Sequence, residues 1–572
     1  MKIYQSYFFF LKNISRKDKY KLFFLTVCSL FLAIFEFLSI ILIYPFIISL
    51  QNIQRSDLDP DIIKIYAIRD YFDLTNDEFI KILLFLIIFF FIIFNFINLI
   101  ILYRFSYFWS QIIGKLQAKV FYYYTNLQYN QLLHVNTTLI VKNIIYEVKR
   151  FISMFISPVS TILNKVFSVL IIIIAVTYIE PKISLILFGT LLIYYLTVYQ
   201  FLKKVAKKNS LALSDKFQSI LKHVDETVGN FQFLKISNLI TRENEKFRTN
   251  TSNINNLDAT NDIISILPKS FLEILFFIIG LFVLYYLIGN NLIFLYLAKV
   301  ALVFIVFIKV TPSFQLMYSL FISIKGHYSC VEALIEPLGS EFNSKKKDSE
   351  HESLIYKISS ISIQNLSFNF STNQSRKIIK NLSCEFFNNS IFAIQGPSGS
   401  GKSTLLNILL GLEKNYEGKI LVNNIELKNI SLNSWHKNIT YVPQNIYLFD
   451  GTLKDNITFA EKDSDIDYNK LNRSIENAGL VSFVKNLDHG LDSAIKNNAK
   501  LISGGEKQRI ALARALYKES ALVLLDEPIN NLDKDNADIF KSTLQNIKKD
   551  RIIILVAHQP EIVNFCDKIY NL

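Results

Sequence analysis

Three short stretches in the second half of the chain carry residue types that chemistry needs. The first reads Gly396, Pro397, Ser398, Gly399, Ser400, Gly401, Lys402, Ser403. In this G-x-x-x-x-G-K-S pattern the glycines let backbone N–H groups converge on phosphate oxygens, and a following helix adds its positive N-terminal end. Lys402 then reaches the terminal phosphates of a nucleotide, Ser403 binds Mg2+, and Thr404 completes the nucleotide-binding set. The second stretch, 521–525, is apolar and ends in Asp526 and Glu527. Asp526 is placed to hold Mg2+ through the metal's water shell, and Glu527 to polarise an attacking water. The third, 552–556, is also apolar and ends in Ala557 and His558. A histidine there is by itself more often structural than catalytic.

These residues need strands that end together and a helix that starts at the loop. The run 391–394 is apolar and short, as a buried strand leading into the phosphate loop would be. The runs 521–525 and 552–556 read the same way, which makes this half an α/β domain.

The rest of the chain is a different solvent problem. Of 572 residues, 51% are hydrophobic and only 19% charged, which excludes a disordered chain. Six apolar runs, near 22–50, 82–103, 159–179, 183–202, 270–288 and 292–322, are long enough to cross a bilayer and exclude a wholly soluble globule. They carry few charges: Glu36, Lys165, Glu273, Lys299 and Lys309. Lys2, Lys12, Arg16, Lys17, Lys19 and Lys21 precede the first run, which places the N-terminus in the cytoplasm. That run is too long for a signal-peptide core, and no A-x-A-like site follows it. The Asp-rich stretch 51–78 is expected outside, and 180–182 and 289–291 read as tight external turns. The connections 104–158 and 203–269 are long and basic, with Lys115, Lys119, Lys149, Arg150, Lys203, Lys204, Lys207 and Lys208, and suggest helices that continue into the cytoplasm. The net charge of +13 is therefore largely topological and calls for no nucleic acid. A polar stretch at 343–350 marks a linker, so the chain divides into 1–325, a linker 326–358, and 359–572. Cys28, Cys330, Cys384 and Cys566 are far apart, without the spacing of a disulfide framework or a zinc site.

The run Ile502, Ser503, Gly504, Gly505, Glu506, Lys507, Gln508, Arg509 resembles the signature motif of ATP-binding cassette (ABC) proteins. Ordered as phosphate loop, signature, Asp-Glu strand and His strand, and preceded by six spans, the whole chain is similar to ABC exporters. The resemblance implies a six-helix transmembrane domain followed by an α/β P-loop ABC ATPase in the cytoplasm, with ATP and Mg2+ as cofactors. Gln444, in Tyr441-Val442-Pro443-Gln444, takes the Q-loop place, sensing Mg2+ and contacting the membrane domain. Phe370 takes the aromatic place that stacks on adenine, His558 the switch-histidine place at the γ-phosphate, and 531–533 the D-loop place. Ser503, Gly504, Gly505 and Glu506 face the ATP of a partner cassette, so a dimer is implied, and a homodimer because no catalytic position is visibly lost. Coupling helices are expected near 133–142 and 212–226. Glu506 stands where Gln is common, 495–499 lacks the Gly-Glu-Arg-Gly run typical of exporters, and the usual Gly-containing extension does not follow Leu572.

Within the exporters, Phe35-Glu36-Phe37 through Tyr44-Pro45-Phe46, Leu267-Pro268-Lys269 through Leu272-Glu273, Lys309 with Pro312, and Asn445-Ile446-Tyr447-Leu448-Phe449 look like PglK-type lipid-linked-oligosaccharide flippases. This implies translocation of a lipid-linked oligosaccharide or related polysaccharide precursor across the inner membrane. The alternatives are an ABC exporter of another lipid, peptide or drug, and an ATP-gated channel or regulator. Lys402, Asp526, Glu527 and His558 together argue against the last. A pyrophosphate cargo needs cations, for which Lys309 and Lys299 are the candidates. Snorkelling also accounts for Lys309, and pairing with Glu36 for Lys299. Ile62, Ile65, Tyr66, Ile68, Arg69 and Phe72 fit a short external helix that touches a polyprenyl tail or packs on the bundle rim.

Overall fold

The computed structural model describes residues 3–50, 69, 71, 73–133, 135–179, 181–290, 293–339, 357–369, 378–459, 461–496, 502–528 and 534–572. They form two compact units, 1–127 with 132–342, and 343–572 with 128–131.

The first unit is helical. Its elements are α1 (Ile3–Asn13), α2 (Arg16–Ile41), α3 (Ile43–Leu50), α4 (Asn76–Thr125), α5 (Tyr129–Leu133, shared with the second unit), α6 (Thr137–Val141), α7 (Ser157–Ile179), α8 (Pro181–Gly229), α9 (Ile240–Gly289), α10 (Ile293–Gly326) and α11 (Ser329–Gly339). Helix starts carry the caps that free N–H groups require. Ser15 accepts from the Asp18 N–H before α2, and Thr75 with Glu78 forms a reciprocal box before α4. Among the described residues, six helical stretches are long and apolar enough to cross a membrane. Helices α4, α8 and α9 hold 50, 49 and 50 residues. At 1.5 Å per residue each is roughly 75 Å long, more than twice a hydrocarbon core of about 30 Å. The basic connections are thus largely continuations of these same helices. Phe85, Phe96, Phe282 and Tyr285 point outward from them, a cost in water and none in hydrocarbon.

Two features of this unit differ from the sequence expectation. The segment assigned to the linker from 326 begins as helix α11, whose Cys330, Val331, Leu334 and Leu338 are buried with Phe10, Trp109, Phe151 and Phe155. Arg150, counted as a topological charge, turns inward instead. It lies between two π-helical turns, Lys142–Glu147 and Phe151–Ile156. There the fully buried Glu147 pairs with Arg150 at 3.0 Å and Lys142 at 3.5 Å.

The second unit is built on two large sheets, beside a small antiparallel pairing of Gly451–Thr452 with Ala494–Ile495, and the large sheets position the site. Their strands are β1 (Ser360–Phe368), β2 (Ile379–Phe387), β3 (Ser390–Gln395), β4 (Glu417–Val422), β5 (Ile425–Glu426), β6 (Ile439–Val442), β7 (Leu522–Asp526), β8 (Ile552–Val556) and β9 (Lys568–Asn571). Helix α12 (Lys402–Leu409) follows β3, α13 (Gly504–Tyr517) precedes β7, and α14 (Lys534–Ile547) follows it. The antiparallel sheet runs β2-β1-β4-β5, and the parallel sheet runs β9-β3-β8-β7-β6. Strands β7 and β8 are buried at every position, which is why their sequences are continuous apolar runs rather than alternating ones. Parallel pairing in register, Ile394 with Val556 and Asp526 with Val556, brings the ends of β3, β8 and β7 to one edge.

Candidate functional site

The phosphate loop leaves β3 at that edge. Gly399 and Gly401 have φ of 81° and 101°, the left-handed region that side chains avoid, and Gly401 caps α12. A Cβ on Gly401 would sit 2.9 Å from Ile378 Cγ2, and one on Gly396 would sit 2.7 Å from Ser400 Oγ. Gly401 is therefore required by space and by conformation, Gly396 by space and Gly399 by conformation. Lys402 is buried, and its Nζ donates to the carbonyls of Gly396 at 3.0 Å and Pro397 at 2.8 Å. The ammonium is thereby folded back over the loop. Ser400 Oγ is buried without a hydrogen-bond partner. A buried hydroxyl left unpaired is costly, and it lies in a glycine cradle at a helix start, the place where a phosphate oxygen is best received. The loop fits a nucleotide's phosphates.

Three of the residues singled out for catalysis meet at the end of β7. Glu527 Oε2 accepts from Gln444 Nε2 at 2.6 Å, and Glu527 Oε1 lies 3.4 Å from His558 Nε2. The Glu527 N–H donates to the Val556 carbonyl at 3.1 Å, tying its backbone to the end of β8. Its φ of 46° is left-handed, a conformation that costs a non-glycine residue energy and persists where surroundings impose it. Because the Gln444 amide N–H group is engaged by Glu527, its carbonyl oxygen is left for other partners.

Asp526, one residue earlier, is buried and receives a hydrogen bond from Tyr441 Oη at 3.3 Å. Burial pushes its carboxyl above the ordinary range, the Glu527 charge adds to this, and Tyr441, Lys402 and Ser403 oppose it. The Ser403 bond joins the helix start to the strand end. Ser403, Asp526 and Gln444 offer oxygen donors of the kind Mg2+ takes. Among the described residues no cluster of three His, Cys, Asp or Glu could hold a metal. An Mg2+ here would accordingly take its remaining ligands from phosphate and water, as that ion usually does.

The signature segment opens α13. Ser503 caps the helix: its hydroxyl donates to Glu506 Oε2 at 2.7 Å, its N–H to the same oxygen at 2.9 Å, and it accepts from the Glu506 N–H at 3.3 Å. In this chain Glu506 thus serves the cap, with Gly504 and Gly505 forming the first turn. Phe370 and 531–533, assigned to the adenine face and the D-loop, lie outside the described residues, as do 497–499. So do Ile62, Ile65, Tyr66, Ile68 and Phe72 of the expected external helix.

The sequence did not single out Tyr441 as a partner of Asp526, the left-handed backbone of Glu527, or Arg514. The Arg514 guanidinium donates to Asn456 O at 2.7 Å and Tyr447 O at 3.2 Å and lies over the Phe459 ring. It fastens α13 to the segment that follows Gln444.

Residues 379–530 match the ABC transporter family. The second unit is an ABC ATP-binding cassette. A putative export ATP-binding/permease protein of Rickettsia bellii is 35% identical over 210 residues, covering 37% of this chain and 36% of that protein. The ATP-dependent lipid A-core flippase of Pasteurella multocida is 32% identical over 209 residues, 36% of each. The microcin-J25 export ATP-binding/permease protein of Escherichia coli is 36% identical over 212 residues, 37% of this chain and 36% of its own length. Each match spans little more than a third of the relative. The structure of a bacterial Atm1-family ABC exporter with ATP bound superposes with a TM-score of 0.74 at 17% identity, over 97% of this chain and 93% of the other. The chain therefore has the fold of an ABC exporter, a helical domain with six membrane-length segments fused to a cassette.

The candidate cations belong to the helical domain. Lys309 Nζ lies 4.9 Å from the centroid of the Phe91 ring. Lys299 lines an apolar cavity of about 890 Å3 together with Lys182 and residues of α9 and α10. Glu36 does not pair with Lys299; it accepts from Ser168 Oγ at 3.1 Å. Helix α2 packs Glu36 against α7.

Proposed function

We propose that the chain is one half of an ATP-driven ABC exporter. It acts as a homodimer in the inner membrane, with its N-terminus and cassette in the cytoplasm, and flips a lipid-linked oligosaccharide or related polysaccharide precursor. The observation behind the ATP-driven step is Glu527, held between Gln444 and His558 beside the phosphate loop.

In this reading the loop N–H groups, Ser400 and Lys402 bind the phosphates of ATP. Lys402 exchanges its two carbonyl partners for phosphate oxygens. Ser403, Asp526 and the Gln444 carbonyl hold Mg2+, whose charge would offset that developing on the transferred phosphoryl group. Glu527 orients the attacking water and takes its proton, while His558, on the other side of the same carboxylate, contacts the γ-phosphate. Ser503, Gly504 and Gly505 complete the site across the dimer by presenting the start of α13 to the partner's nucleotide.

The glycan cargo is supported by the membrane-half motifs and by a relative named as a lipid A-core flippase. Lys309, with Lys299, is proposed to receive the pyrophosphate. A peptide cargo is the second reading, favoured by the microcin-J25 export relative at a similar identity. Proteoliposomes holding the purified chain separate the two. ATP-dependent flipping of a fluorescent polyprenyl-pyrophosphate oligosaccharide, lost in Lys309→Gln, is the expected result. Movement of a peptide without movement of the glycan lipid would replace the first reading by the second.

A further inference from the structure

The helical domain holds a cavity of about 230 Å3 whose walls carry more polar groups than those of the larger, almost wholly apolar cavities on α8, α9 and α10. It is lined by Glu36 of α2, Asn98 and Trp109 of α4, and Asn164, Lys165 and Ser168 of α7. Helix α2 packs against both α4 and α7, so the cavity occupies the cleft between those two with α2 as its floor.

Glu36 is only 9% exposed, and its carboxylate accepts a single hydrogen bond, from Ser168. Lys165 lines the same cavity, yet among the described residues no ion pair joins it to Glu36. Charged groups within a span are costly and are kept where they meet a partner or a pathway. Two opposite charges in one cavity would lower that cost by pairing, and here they stay apart. A group that carries its own cation and its own anion satisfies both at once. Its ammonium meets Glu36, its anion meets Lys165, and the two asparagine amides take the remaining donors and acceptors.

Depth and size narrow the group further. Along α4 the cavity spans Phe94 to Trp109, and toward its Trp109 end Tyr103, Arg104 and Tyr107 are exposed. Tyrosine and arginine gather at the membrane–water boundary. The Trp109 end of the cavity therefore reaches headgroup depth, so a lipid's polar end can enter there toward Glu36 while its tails stay in hydrocarbon. A volume of about 230 Å3 equals roughly seven waters at about 30 Å3 each. That admits one small headgroup and excludes an oligosaccharide.

We infer that this cavity binds a phosphoethanolamine group, its primary ammonium on Glu36 and its phosphate on Lys165. The ammonium brings three N–H donors to a carboxylate that has one hydrogen bond. A choline group brings none, and a glycerol group has no cation. The inference stands whichever cargo the transporter moves.

The test is native mass spectrometry of the full-length protein in detergent, titrated with phosphatidylethanolamine, phosphatidylcholine and phosphatidylglycerol of identical acyl chains. The wild type is expected to prefer phosphatidylethanolamine by roughly tenfold, the scale of one charge-assisted hydrogen bond. Glu36→Gln should erase that preference. Lys165→Gln should weaken all three lipids alike and keep their order, a split that loss of packing would not produce. Elution profile and thermal unfolding check that each variant is folded. Should Glu36→Gln fail that check, Asn98→Ala carries the test and should narrow the preference. Soluble O-phosphoethanolamine distinguishes the source: displacement of the lipid identifies the headgroup alone as sufficient, and its failure to displace identifies a membrane lipid. A wild type without headgroup preference, or a folded Glu36→Gln (or Asn98→Ala) that keeps the full preference, overturns the inference.

Discussion

The cassette and the helical domain solve opposite placement problems. In the cassette the chemistry sits at the ends of buried strands, and a few contiguous residues carry it. Gly396 to Ser403 form one loop, and Asp526 with Glu527 end one strand. Parallel pairing then brings separate segments to a common edge, so that Gln444, Glu527 and His558 meet within hydrogen-bond or ion-pair distance. In the apolar runs of the helical domain charged residues are isolated, and polar groups meet by side-by-side packing of helices distant in sequence. Glu36 meets Ser168 across 132 positions. Chemistry at strand ends is expected to tolerate little substitution, because each group has one task. Chemistry between helices is spread over several weaker partners.

The sharpest way to break this contrast is Glu527→Gln. A positioned general base contributes about 10²–10⁴-fold, so ATP turnover in the purified full-length protein should fall by that factor while nucleotide binding persists. Turnover near normal would show that the strand-end carboxylate is replaceable and that the cassette is as distributed as the helices.

A second effect, next in size, tests the helical side. Glu147 is fully buried between Lys142 and Arg150. Removing one partner of a buried ion pair costs about 3–5 kcal/mol, whereas replacing all its members by apolar residues is often neutral. Arg150→Met alone should lower the unfolding temperature markedly, and Lys142→Met/Glu147→Leu/Arg150→Met together should restore most of it. A single variant as stable as the wild type would mean that the π-helical turns carry the segment without the charges.

The smallest effect concerns Asp526. Burial raises its carboxyl above the ordinary value of 3.8, with the Glu527 charge adding to the rise. The folded chain therefore holds that proton more tightly than the unfolded chain. Stability contributed by the protonated form is present below 3.8 and is lost as pH climbs through the raised value. Asp526→Asn should remove this loss and raise the melting temperature of the nucleotide-free protein at neutral pH. It should also flatten the melting temperature between weakly acidic and neutral pH, even as the metal-dependent turnover fails. A melting temperature unchanged at neutral pH would place the cost of the site elsewhere, with the left-handed Glu527 backbone as the next group to test.

Much of the cassette could be read in advance because buried parallel strands are written as uninterrupted apolar runs. The expected strands at 391–394, 521–525 and 552–556 appear as Ser390–Gln395, Leu522–Asp526 and Ile552–Val556. Glu506 shows where local reading reached its limit. Its spacing from Ser503 suits both a signature contact and a capping box, and within this chain the cap is what it makes. Helix α11 shows the reverse, a modest amphipathic run whose burial depends on aromatic side chains of helices far away in sequence.

The sequence by itself determined what local periodicity and spacing can encode: six membrane-length runs, the phosphate loop, the strand-end acids and the signature. Hydrophobic runs and backbone-directed motifs act over a few residues, and the physics that reads them is local. Tertiary structure alone decided which distant groups became neighbours. It set Tyr441 on Asp526, forced Glu527 into a left-handed turn between Gln444 and His558, turned Arg150 inward to Glu147, and held Glu36 and Lys165 in one polar cleft without pairing them. Such juxtapositions depend on strand register and helix packing, which sum over the whole fold and leave no mark on any short segment.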